Sequence, residues 1–145
     1  TRHNESVSLQ DLSFFRYIHQ KFAELDPKKS LMDSRKRLGK HLSVIMANIP
    51  LQNPEKLQLH KSLAQKIKDN YFEDAKELDE KYFSNSPMQD SLQTSIDRAL
   101  AVPQSLEMQD HFQPETIRMV NCWFELNYRI MTTDPNVFIR LKKNK

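Results

Sequence analysis

The side chains able to do chemistry are five histidines (His3, His19, His41, His60, His111), one cysteine, Cys122, and a group of carboxylates, Asp74, Glu77 and Asp79. A metal centre needs ligands at helical or turn spacing. No H-x-x-x-H, H-E-x-x-H or E-x-x-H pair occurs, so no metal site is read from the chain. His60 lies at the edge of an apolar helical face, where a hydrogen-bonded structural histidine is expected. Cys122, beside Trp123 in the most apolar stretch, reads as a buried thiol made inert by its surroundings. The carboxylates belong to a dense acidic run, which reads as a solvated face. Gly39 is the only glycine, and one glycine cannot supply the G-x-G-x-x-G, G-x-x-x-x-G-K-[ST] or G-x-S-x-G turns of phosphate loops, dinucleotide sites and nucleophile elbows. No catalytic residue and no cofactor is assigned, and the chain reads as non-enzymatic.

Charge points instead to partners. Residues 1–68 carry 13 Lys or Arg and 6 Asp or Glu, residues 69–115 carry 3 and 11, and residues 116–145 carry 6 and 2, so an overall charge of +3 hides a segregated distribution. Lys28, Lys29, Arg35, Lys36, Arg37 and Lys40 form a basic cluster, and Glu73, Asp74, Glu77, Asp79 and Glu80 an acidic one. Helical phase sends Lys36, Arg37 and Lys40 away from the core. With the tail Arg140, Lys142, Lys143 and Lys145 they form a docking surface for an acidic or phosphorylated protein segment or, as the alternative, for RNA. Arg35 occupies the seam between Leu31 and Leu38, within reach of an acidic neighbour, and pairing of the two clusters within the fold would also explain the segregation. RNA is the weaker reading, because no aromatic residue interleaves the basic cluster to stack bases.

The elements that position these residues are helices. Leu9, Leu12, Phe15, Ile18, Phe22 and Leu25 recur at three- and four-residue steps, as do Leu31, Leu38, Leu42, Ile45 and Ile49. Further helices are expected at about 54–69, 71–83 and 87–99, with 102–113 as a loop. A sixth runs over about 115–132, where ten of the sixteen residues from Thr116 to Met131 are apolar. Such a cylinder is expected at the centre of the bundle, with Glu125 and Arg129 paired on its narrow polar stripe. A short seventh helix follows Pro135. Proline marks helix starts in Asn53-Pro54, Ser86-Pro87, Gln113-Pro114 and Asp134-Pro135, and helix ends at Pro27, Pro50 and Pro103. Ser8-x-x-Asp11, Ser30-x-x-Asp33 and Ser86-x-x-Gln89 read as capping boxes. Gly39 falls inside the second helix, where close approach of another helix or of a partner would explain it.

Residues 1–145 therefore read as one all-α domain of six or seven helices, excised from a longer protein, with flexible ends at 1–7 and 142–145. Phe14, Tyr17, Phe72 and Phe83 exceed what its thinner helices can bury, which again favours a docking groove. No apolar run approaches a membrane span, and the lone cysteine offers no internal disulfide, so an intracellular setting, cytoplasmic or nuclear, is expected. The helix order from Leu31 to Ala101, with Asn70-Tyr71-Phe72-Glu73-Asp74-Ala75 opening a helix, resembles the bundle shared by steroid receptor RNA activator protein and the carboxyl-terminal domain of the outer COPII coat subunit. That resemblance implies a non-catalytic interaction domain. The chain departs from the family in lacking its later tryptophan-containing segment, so no residue roles carry over.

Overall fold

The computed structural model describes residues 7–141. Within them are six α-helices: α1 (Leu9–Leu25), α2 (Met32–Asn48), α3 (Lys61–Tyr82), α4 (Pro87–Asp97), α5 (Pro114–Thr133) and α6 (Val137–Arg140), with a single 3-10 turn at Met108–Asp110. Only two isolated bridges, Ser8 with Lys56 and His60 with Leu100, are strand-like among the described residues, and the architecture is all-α. The flexible ends expected at 1–7 and 142–145 fall, apart from Val7, outside the described residues. Packing separates two units, one made by the chain up to Lys56 together with the chain from Leu106, the other by Leu57–Ser105.

The first unit is built on aromatic contacts between α1 and α5. Phe22 meets Phe124 edge to face at 4.8 Å between ring centroids, and Phe124 stacks on Tyr128 at 6.1 Å. Ile18, Leu31, Leu38 and Met131 complete the buried cluster. Phe14 and Tyr17, expected to be surplus, pack against this core, and the Tyr17 hydroxyl donates to Asn121 Oδ1 at 2.7 Å. The α6 turn covers α2, with His41 Nε2 3.2 Å from the Phe138 carbonyl oxygen.

The second unit is a pair of helices, α3 and α4, with little core. Its only buried apolar residues are Ala64 and Ala75. Polar fastenings take over. Asp79, 2 % exposed, accepts from the Met88 and Gln89 backbone N–H groups at 3.0 Å each, and so fills the orphan donors at the start of α4. Burial acts to raise the Asp79 pKa, but these donors outweigh it and hold the carboxyl below its ordinary value. His60 caps α3, its Nδ1 accepting from Leu63 N, which is the structural role expected of it.

Several sequence expectations need correction. The helices expected at 54–69 and 71–83 are one continuous helix that starts at Lys61. Asn53-Pro54 starts nothing, because α1 takes the backbone groups a helix there would need: Leu9 N donates to Glu55 O at 2.7 Å, and Gln10 bonds both Asn53 O and Glu55 N. Ser8 caps α1 through Asp11 N as read, whereas Ser30 and Ser86 make no side-chain cap. Nor is α5 central. Only Phe124 and Met131 of its side chains are buried, while Met119 and Leu126 are about three-fifths exposed and Cys122 lies at the surface rather than in a core. The Glu125–Arg129 pair forms, at 2.8 Å.

These burials separate two neighbouring positions of α5. Phe124→Ala is expected to cost about 3–5 kcal/mol of unfolding free energy, and Leu126→Ala less than about 0.5 kcal/mol, as read by chemical denaturation of the two variants; equal costs would contradict the one-sided packing of α5.

Candidate functional site

On α1, Leu12, Phe15, His19 and Phe22 recur at steps of three, four and three, and on α2, Met32, Arg35, Gly39 and Leu42 do the same. The two stripes face each other across a cleft of about 600 Å³. Leu106 and Trp123 close its floor, and Arg16, His19, Arg35 and Lys36 stand among the apolar lining residues. The volume is that of an ordinary ligand or side-chain pocket.

Asp26 holds the two walls in register. Its Oδ1 accepts from Ser30 N at 2.9 Å and from the Ser30 hydroxyl at 2.6 Å, and its Oδ2 accepts from Leu31 N at 2.9 Å. The Ser30 hydroxyl foremost, then the Leu31 N–H, hold the Asp26 carboxyl below its ordinary pKa, against the opposing effect of burial. One wall is stiffened further, since the Arg35 guanidinium lies 4.8 Å from the Phe22 ring centroid and 3.5 Å from His19 Nδ1. Arg16 pairs with Glu107, so His19, Arg35 and Lys36 carry most of the rim's donor capacity.

The six basic residues singled out in the sequence are divided by this geometry. Arg35 and Lys36 line the cleft. Lys40 is exposed one turn beyond Lys36, along the same edge of α2. Arg37 is turned about 100° from Lys36 and belongs to the outer face. Lys28 and Lys29 are exposed in the α1–α2 connection, where Lys29 has φ 57°. Arg35 meets an aromatic ring and a histidine, and its charge also acts on Asp26 at the end of α1, where it helps to lower that carboxyl's pKa. Of the basic tail, only Arg140 lies among the described residues, paired with Asp134.

Arg16, His19, Leu106 and Trp123 were missed. The α1 pair was legible as the polar edge of the Leu12–Phe22 stripe, but Leu106 and Trp123 arrive from distant segments and left no local signal. Gly39 is clarified. A Cβ at this position would meet nothing within 4 Å, so no helix approaches it and its open face belongs to the cleft.

Chemically, the cleft can take apolar side chains and bind anionic groups at its edge. Its lining brings no nucleophile to the one histidine, and no group of three or more His, Cys, Asp or Glu able to hold a metal occurs among the described residues. No helix among them is long and apolar enough to cross a membrane.

Because the Asp26 carboxyl is held below its ordinary pKa, its stabilisation is complete above the ordinary carboxylate range and disappears as pH falls through the folded-state value. Asp26→Asn is therefore expected to unfold at lower denaturant than the parent near neutral pH and to match it in strong acid; a difference independent of pH would contradict the charge-assisted cap.

No protein-family model, curated protein or solved structure matches the chain.

Proposed function

We propose that this chain is a non-enzymatic protein-interaction domain of the cell interior, and that its α1–α2 cleft docks an amphipathic partner segment whose flank is acidic or phosphorylated. The observation that carries this reading is the combination of an apolar cleft with a basic edge formed by His19, Arg35 and Lys36 and extended by Lys40. Apolar anchors of the segment enter the cleft and supply most of the affinity, while its anions meet the rim and speed encounter. This is the helix-in-groove mode of recognition, in which anchors recur at helical spacing. Gly39 keeps the wall free of a side chain where the segment would lie. The single cysteine fits a reducing compartment.

The test uses two synthetic helical peptides with the same leucine stripe, one flanked by glutamates and one by lysines, titrated into the full chain by fluorescence anisotropy. The acidic peptide is expected to bind and to weaken with salt, and the basic one to bind poorly. Lys36→Glu with Lys40→Glu should cost about tenfold in affinity with an unchanged thermal melt. Gly39→Leu should fold but block the cleft, whereas Gly39→Ala should gain roughly 0.5–1 kcal/mol of stability. Equal binding of both peptides, or binding indifferent to Lys36 and Gly39, would overturn the reading. Failure of both peptides, with mixed RNA binding whose affinity falls steeply with salt, would transfer the basic surface to nucleic acid.

A further inference from the structure

The unit Leu57–Ser105 buries no apolar side chain larger than alanine, yet the carboxyl-terminal half of α3 carries Tyr71, Leu78 and Tyr82 at 57 %, 44 % and 64 % exposure. Steps of seven and four residues put these three on one stripe of the helix. Asp74 lies three residues after Tyr71 and four before Leu78, with Glu77 three further on, so carboxylates border the stripe along one edge. From Asp69 to Tyr82 there are six carboxylates and two lysines, and one of these, Lys81, lies over the Tyr82 ring at 5.4 Å from its centroid. Tyrosine is also among the residue types enriched at the energetic centres of interfaces.

The same chain thus presents two incomplete surfaces of opposite character. One is an apolar cleft with basic edges, the other an apolar, aromatic stripe with an acidic edge. Their lengths match: the stripe from Tyr71 to Tyr82 spans about 17 Å, and the α2 wall of the cleft from Met32 to Leu42 about 15 Å. Charge complementarity therefore selects the occupant.

We propose that the segment docked in the α1–α2 cleft is residues 69–82 of α3 from a second copy of this chain, an inference that rests on the cleft being a docking groove for acidic amphipathic helices. Each copy has one cleft and one stripe, so the contact is heterologous. It closes when two copies exchange helices and propagates when a third copy joins. With Tyr71, Leu78 and Tyr82 as anchors and each aromatic contributing at most about 150–250 Å², one contact lies below the standard interface size and is expected to be weak and salt-sensitive.

Sedimentation velocity of the full chain over a range of concentrations, at low and high salt, provides the test. The average mass should rise with concentration and fall with salt. A cleft variant, Lys36→Glu with Lys40→Glu, and a stripe variant, Asp74→Lys with Glu77→Lys, should each need at least about tenfold more protein to associate, with circular dichroism showing unchanged helix content. Mixed in equal amounts, the two variants should associate again, because the acidic stripe of the first matches the basic cleft of the second and the basic stripe of the second matches the acidic cleft of the first. Combining all four substitutions in one chain should restore association through exchanged charges. A chain that stays monomeric at every concentration, an unpaired mixture, or association unaffected in both variants would overturn the inference. If the chain is monomeric while the acidic probe peptide still binds the cleft, this inference falls and the reading of the cleft stands; if the peptide also fails to bind, both fall.

Discussion

The edge-to-face contact between Phe22 and Phe124 is the interaction on which the first unit depends. It joins the end of α1 to the middle of α5, two segments far apart in sequence, and Ile18, Leu31, Leu38 and Met131 gather around it. A buried aromatic pair contributes about 0.5–1.5 kcal/mol beyond its area. Its larger effect is geometric. With Phe22 fixed, its ring receives the Arg35 guanidinium of α2; with Phe124 fixed, the preceding residue, Trp123, is set at the floor of the cleft. The wall, the floor and one cation of the rim therefore follow from one contact.

The second recurring device is a carboxylate at the end of one helix that satisfies the first N–H groups of the next. Asp26 does this for α2 and Asp79 for α4, and both carboxylates sit nearly buried, at 5 % and 2 % exposure. A negative charge at a helix amino terminus also meets the favourable end of the helix dipole. In a chain with one glycine, turns cannot be relaxed by positive φ at will, and Lys29 alone among the described non-glycine residues adopts it. The aspartate clamps hold tight interhelical connections that glycine supports in other proteins.

Those clamps explain what the sequence conceals. Ser30-x-x-Asp33 and Ser86-x-x-Gln89 satisfy the local pattern of a capping box, but the groups that cap lie four to ten residues upstream, beyond a three-residue motif. Helical phase correctly placed Leu9, Ile18, Phe22, Leu31 and Leu38 in the interior. It could not tell that Met119, Leu126 and Cys122 of α5 would lack a cover, since apolar content reports how much surface could be buried and not how many neighbours arrive to bury it. Likewise the rim was half legible: Arg35 and Lys36 stand out by charge, whereas His19 and Trp123 gain meaning only when α1 and α5 meet.

Cleft, rim and open Gly39 wall form one arrangement, and Trp123, the only tryptophan, stands at its floor as a built-in reporter. The most direct measurement is its intrinsic emission during titration with a glutamate-flanked amphipathic peptide that lacks aromatic residues, while anisotropy of a label on the peptide follows binding independently. Docking in the cleft predicts a saturable blue shift of Trp123 emission that tracks the anisotropy curve. A peptide that binds by anisotropy while the Trp123 spectrum stays unchanged would place the interaction elsewhere and contradict the account.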